Sequence, residues 1–381
     1  MLSNEQSRGS YLGWTKGALC VLLVSAISLE VFSAIVIELH LIPADSPNYK
    51  TPGERPFWVD RNPHFGMWHE AETEYIHTKS CFSVTYRTNT FGARDRQRDK
   101  MGNLPRVLML GDSFTEGYGL KREDRTSDIL ESQTKVEHLN FGTSGHFGPT
   151  QYWLLYKHLG LKFNHNLVII NLLPDNDFVD DDPNHAAIYQ GQYRPYLERT
   201  GARYLLTYIN RDQKGASKKE IRREKRRYFG RMLRNFTYSI NAINYIMSFM
   251  RQIRPLNREQ HLISPAFSGY FDFSRDQAER LIEVMSRVMV EAEARQVIVT
   301  VTPRPADLIY MNPSPLIELL MVVAEDYPNL HIIDFRKAFQ VQPNWHSFYR
   351  DCDGHWSPAG AKAAANILLQ DEVYRRTLGI N

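Results

Sequence analysis

Five short apolar runs, separated by stretches with helical spacing, constrain this chain more than any other feature. They are Val107–Leu110, Val136–Phe141, Leu167–Leu173, Val297–Val301 and His331–Asp334. The unbroken apolar stretches among them, such as Val107–Leu110, suit strands that are buried on both faces, and Val136–Phe141 is a strand candidate that also carries Glu137, His138 and Asn140. Residues 124–133, 151–161, 275–294 and 314–326 lie between or before them and carry helical patterns. A last helix is expected from Pro358 to Leu369, with proline near its first turn and alanines after it. Strands alternating with helices predict a parallel sheet covered on both sides. With 43% hydrophobic and 23% charged residues, the 381-residue chain has enough apolar material for one large α/β domain with insertions. Its net charge of +3 is too small to point to a nucleic-acid partner.

The first 40 residues differ from the rest. Residues 17–37 read GALCVLLVSAISLEVFSAIVI, a length that crosses a hydrocarbon core of roughly 30 Å at 1.5 Å per residue. Arg8 and Lys16 precede this run and Glu38 follows it, which favours a cytoplasmic amino terminus and an extracytoplasmic carboxy-terminal domain. Glu30 interrupts the run at a cost on the order of 2.5–3.5 kcal/mol at mid-bilayer. No convincing small-x-small cleavage site follows, so a retained single-pass anchor is expected, with a buried helix of a soluble protein as the alternative. Residues 41–104 form a polar approach segment in which Ser83–Thr88 alternates like a strand and Asn89–Gly92 looks like a turn. Residues 105–381 are expected to form the main domain.

That domain is interrupted at about 178–273. Two polar-aromatic runs around Thr200-Gly201 read as a hairpin within 188–209. Residues 214–234 then carry ten basic side chains against Glu220 and Glu224, the pattern of a solvated or polyanion-facing helix. Of three cysteines, Cys20 falls in the apolar run, while Cys81 and Cys352 either pair or stay as thiols. No Cys/His spacing resembles a metal site, and nothing calls for a cofactor.

In an open parallel sheet, ligands bind beyond the carboxyl ends of the strands. Four groups fall there. Ser113, in Gly111-Asp112-Ser113, follows the first run; Gly145, in Asn140–Gly145, follows the second; Asn176, in Pro174–Asp177, follows the third. His355, in Asp351–Pro358, follows the last. A serine hydroxyl is a poor nucleophile alone and needs a base, an acid to orient that base, and donors for the oxyanion. A phosphate-binding loop at 111–119 is disfavoured because the Gly-Lys-Ser/Thr ending is missing.

In this order the four blocks resemble those of the SGNH hydrolases, the GDSL-like esterases, with Ser113, Gly145, Asn176 and His355 at the family's positions. The resemblance implies a three-layer α/β/α flavodoxin-like sandwich with a five-stranded parallel sheet, here preceded by one transmembrane helix. It implies a Ser113 nucleophile, a His355 base, and oxyanion donors from the Ser113 and Gly145 backbone and the Asn176 side chain. One departure stands out. The family's orienting acid commonly sits three residues before the histidine, where this chain has Cys352. Asp353 is the expected acid because an Asp-x-His spacing occurs in relatives acting on exopolysaccharide acyl groups, and Asp351 is the alternative.

The expected activity is an anchored serine esterase that removes acyl groups, most plausibly acetyl, from a glycan or similar polar substrate. Transfer of the acyl group to a sugar hydroxyl and a non-catalytic scaffold are the rival readings. His146 and His185 are possible substrate contacts, and the 178–273 insertion is the expected specificity element. The partners expected are the acylated substrate and, through residues 17–37, the membrane.

Overall fold

The structure is a computed structural model. It describes residues 3–39, 57–79, 81–185, 193–209, 218–253, 269–309, 312–350 and 354–380, with scattered positions between 41 and 51. In chain order it begins with α1 (Ser3–Glu38), then two hairpins, β1 (Trp58–Asn62) with β2 (Gly66–His69) and β3 (Glu74–Lys79) with β4 (Phe82–Arg87). The core follows as β5 (Arg106–Gly111), α2 (Ser113–Glu116), α3 (Thr126–Thr134), β6 (Glu137–Gly142), α4 (Pro149–His158), β7 (Leu167–Leu172) and α5 (Pro174–Asp180). The insertion contributes the hairpin β8 (Arg194–Thr200) and β9 (Arg203–Ile209), then α6 (Lys218–Phe236) and α7 (Tyr238–Ile253). The core resumes with α8 (Arg275–Ala292), β10 (Gln296–Val301), α9 (Pro315–Glu325), β11 (Leu330–Asp334), α10 (Phe335–Gln340), α11 (Pro358–Gln370) and α12 (Glu372–Leu378).

β5, β6, β7, β10 and β11 form one parallel sheet in the order β11-β10-β7-β5-β6. Counted along the chain this is 2-1-3-4-5, the flavodoxin-like order, with a switch point beside β5. Every residue of β5 and β7 is buried. Successive side chains of a strand point to opposite faces, and the core divides accordingly. Leu108, Leu110, Val168 and Ile170 pack with residues of α4, α8 and α9 on one face. Val107, Met109, Leu167 and Ile169 pack with Leu130 of α3 and Ala361, Ala364 and Leu368 of α11 on the other.

Register decides where the site forms. Gly111 pairs with Gly142 of β6 and with Asn171 of β7, so three neighbouring strands end at one level. The turns after them carry residues 113, 145 and 176. A Cβ on Gly142 would lie 2.2 Å from the Glu116 backbone nitrogen, so glycine is what lets α2 settle against β6.

The approach segment holds more structure than its sequence predicts. Besides the strand expected at 83–88, it contributes β1, β2 and β3, and it packs onto the turn after α2. Arg94 donates to the carbonyls of Glu116 (2.9 Å), Gly117 (2.7 Å) and Leu120 (2.6 Å), while the Tyr86 hydroxyl accepts from Gly119 N–H at 2.6 Å. Cys81 is disulfide-bonded and Cys20 is free, while Cys352 lies outside the described residues. Among the described residues, one helix is long and apolar enough to cross a membrane, over Thr15–Glu38.

Gly142→Ala is expected to destabilise the fold by about 1–3 kcal/mol, because the backbone it meets cannot move aside. A methyl group added at Gly230 in α6 would meet nothing within 4 Å. Gly230→Ala is therefore expected to be neutral or stabilising by up to about 1 kcal/mol. Urea midpoints in detergent solution compare the two, and equal midpoints would contradict the close approach.

Candidate active site

Asp112 caps α2. Its Oδ1 accepts from Phe114 N–H at 2.9 Å, satisfying one of the helix's open donors. Gly111 precedes it with φ +153°, and a Cβ there would lie 2.1 Å from Thr115 Oγ1. This turn presents Ser113 at the end of β5. Ser113 Oγ lies 2.9 Å from His355 Nε2, across 242 positions of sequence.

The His355 ring is fixed by packing. It stacks on Tyr118 with centroids 4.2 Å apart and on Phe114 at 5.2 Å. Its carbonyl accepts from Arg350 N–H at 2.8 Å, and Arg350 in turn donates through Nη2 to Gly119 O at 3.0 Å. The histidine loop is thus tied to the serine turn at two places. Asp353 and Asp351, the two carboxylates expected to orient the ring, lie outside the described residues.

Asn176 sits in the first turn of α5. Its Nδ2 donates to Asp180 Oδ2 at 3.0 Å, one helical turn later, and lies 3.4 Å from Asp112 Oδ2. Ser113 Oγ lies 3.4 Å from the same Asp112 oxygen. Ser113 Oγ and Asn176 Nδ2 therefore converge on one Asp112 oxygen, to which both donate, while Asn176 also donates to Asp180. Burial pushes the Asp112 carboxyl up to about 7, working against the Phe114 N–H, and the nearby Asp180 pushes it the same way.

Gly145 follows β6 with φ +99°, a conformation open to glycine and strained for other residues. Its neighbour Ser144 is anchored by a group that sequence reasoning missed. Glu116 is fully buried and accepts from Ser144 N–H at 2.7 Å, from the Ser144 hydroxyl, and from Trp58 Nε1 at 3.1 Å. His69 Nε2 lies 3.3 Å from its other oxygen. Burial alone would raise this carboxyl, but His69, Arg94 and Ser144 together hold it down at about 2. Glu116 thus connects the serine helix, the Gly145 turn and the first hairpin. The sequence signal was a lone acid three residues after the serine, which has no partner until β1 and β2 fold over it.

His146 and His185 each lie beside a carboxylate, and the acid beside His146 is the one that accepts from Asn176. His146 Nδ1 is 3.6 Å from Asp180 and His185 Nδ1 is 3.4 Å from Asp182. Among the described residues no group of acids, histidines and cysteines could hold a metal ion.

In comparisons with known proteins, no family model matches the chain and neither does any curated protein. Solved structures do resemble it. The lipase/acylhydrolase from Enterococcus faecalis is 14% identical, with 72% of this chain and 97% of that chain covered and a TM-score of 0.37. A member of the lipolytic protein G-D-S-L family from Veillonella parvula is 10% identical, covering 71% and 98%, with a TM-score of 0.35. A family two carbohydrate esterase from Clostridium thermocellum, in complex with cellohexaose, is 12% identical, covering 72% and 65%, with a TM-score of 0.37.

The two shifted carboxyls make opposite predictions for stability. Ionised Glu116 stabilises the fold fully above its ordinary value of 4.5, and that contribution is lost as pH falls through about 2. Glu116→Gln should remove a pH-dependent term on the order of 3 kcal/mol across that window. Asp112 is raised from 3.8 to about 7, so its contribution is complete below 3.8 and lost as pH rises through 7. Asp112→Asn keeps a helix cap and should be relatively more stable than the parent on the alkaline side. Unfolding midpoints measured across pH test both signs, and parallel profiles for parent and variants would contradict them.

Proposed function

We propose that this chain is a membrane-anchored serine acyl-ester hydrolase. The observation that carries the reading is the 2.9 Å approach of His355 Nε2 to Ser113 Oγ. In this reaction the Ser113 oxygen attacks the acyl carbonyl while His355 Nε2 takes its proton. The carbonyl oxygen becomes an oxyanion, met by the backbone N–H groups of Ser113 and Gly145 and by the Asn176 amide. Collapse of this intermediate breaks the ester bond, and the departing alcohol leaves with the proton from His355. A water molecule then attacks the acyl-serine, His355 again takes the proton, and the carboxylic acid departs as Ser113 is restored. Asp353 or Asp351 orients the imidazole through Nδ1.

Asp180 and Asp112 both accept from the Asn176 amide and hold it beside the serine turn, which supports the oxyanion role of Asn176. The substrate class proposed is an acetylated glycan or similar polar ester, following the Asp-x-His spacing. The proposed topology places the catalytic domain outside the cytoplasm. Basic residues before the apolar run and an acidic one after it support that placement, as does a disulfide-bonded Cys81, since disulfides persist in oxidising compartments.

A fluorophosphonate probe is expected to label the protein at Ser113, and Ser113→Ala should abolish labelling while Glu325→Ala, an exposed position in no proposed role, leaves it intact. On an acetylated polysaccharide, Asn176→Ala should lower kcat by about 10²–10³-fold, the usual loss for one oxyanion donor. Folded protein that resists the probe would favour the scaffold reading. Acetyl transfer to an added glycan without net acetate release would replace hydrolysis with acyl transfer.

A further inference from the structure

Glu30, the one acid inside the apolar run of α1, finds partners 208 and 209 positions away. Its Oε1 accepts from Tyr238 N–H at 2.7 Å and its Oε2 from Ser239 N–H at 3.0 Å. These are donors that the first turn of α7 leaves open, and a carboxylate suits a helix amino terminus. Two turns further along α1, Glu38 accepts from the Tyr238 hydroxyl at 2.9 Å. α7 therefore starts against the carboxy-terminal half of the apolar helix, below the level of Glu38. Ser33 and Ile37 of α1 and Asn241 and Ala242 of α7 are buried there.

The outer surface of this hairpin is divided by chemistry. Ile243, Ile246 and Met247, spaced on one face of α7, are 43–48% exposed, and Phe236 at the bend is 40% exposed. Val31, Phe32 and Ile35 on α1, the helix against which α7 packs, are exposed as well. On α6, Arg222, Lys225 and Arg226 are exposed at helical spacing, followed on the same face by exposed Phe229. A cationic row bordering an apolar face is the pattern of a helix lying at a membrane interface. In water, the same surface would leave these large apolar side chains uncovered.

We propose that the α6–α7 hairpin is a second membrane element. The exposed face of α7 and Phe236 enter the acyl chains of the leaflet around the outer half of α1. Arg222, Lys225 and Arg226 lie at headgroup level and bind anionic lipid. The inference rests on reading α1 as a bilayer-spanning anchor. Two attachments in place of one would fix how the catalytic domain faces the membrane. α6 also packs on β3, whose terminal Lys79 places its ammonium 4.7 Å from the Tyr118 ring that stacks on His355. The membrane contact is thereby connected to the active site through one hairpin.

The test uses the full chain with Cys20→Ser, reconstituted into vesicles of phosphatidylcholine with or without phosphatidylglycerol. An environment-sensitive fluorophore is attached in turn at Leu22→Cys, Ile246→Cys and Val290→Cys. Positions 22 and 246 are expected to give blue-shifted emission quenched by lipids with acyl-chain nitroxides, and position 290 neither. Quenching at 22 but not at 246 overturns the hairpin proposal and leaves the anchor standing. Quenching at neither removes the anchor as well. A blue shift at 246 without lipid quenching assigns that face to a protein partner and also overturns the proposal. Charge reversal by Arg222→Glu, Lys225→Glu and Arg226→Glu should abolish any gain in quenching at 246 from phosphatidylglycerol. A gain that survives the reversal overturns the headgroup assignment.

Discussion

No side-chain atom fits between Gly142 and the backbone of Thr115 and Glu116. This close approach joins the turn that carries Ser113 to the neighbouring strand and fixes the height at which both end. Asn140, two residues earlier on the same strand, donates to Thr115 O at 2.7 Å and reinforces the junction. Because β5, β6 and β7 finish at one level, short turns suffice to bring a hydroxyl, a glycine with positive φ and an amide to the same edge. The chemistry of the site follows from that level ending more than from any single residue.

Around this junction the protein uses two buried carboxyls in different electrostatic states. Glu116 is surrounded by donors and stays ionised, so it organises the loops that surround it. Asp112 faces a second acid and few donors, and its charge is disfavoured near neutrality. The group held ionised lies one helical turn after Ser113, and the group whose charge is disfavoured lies directly before it.

The core was largely legible because its strands are buried on both faces, and that requirement writes itself into consecutive apolar residues such as Leu167–Ile170. Ser113, Gly145 and Asn176 could be singled out because each follows a core strand, and the approach of His355 to Ser113 agrees with the order of the blocks. β1, β2 and β3 were not legible. They are four to six residues long, mix Trp, His, Glu and Lys, and owe their order to packing on the serine turn. Glu116 and Glu30 failed to announce themselves for a related reason. A lone acid in a sequence gives no sign of the donors that tertiary structure will bring from His69 or Tyr238. The basic run at 214–234 showed its helix but not the surface beside it, since the apolar half of that surface belongs to α7 and α1.

The 242 positions between Ser113 and His355 also set the order in which the protein becomes complete. The first three core strands can emerge and pair while the imidazole is still unsynthesised, because its loop lies after β11. A nascent chain would therefore present the Ser113 hydroxyl before the imidazole that ends 2.9 Å from it exists. That contact is made last, when the carboxy-terminal loop docks onto strands already in place.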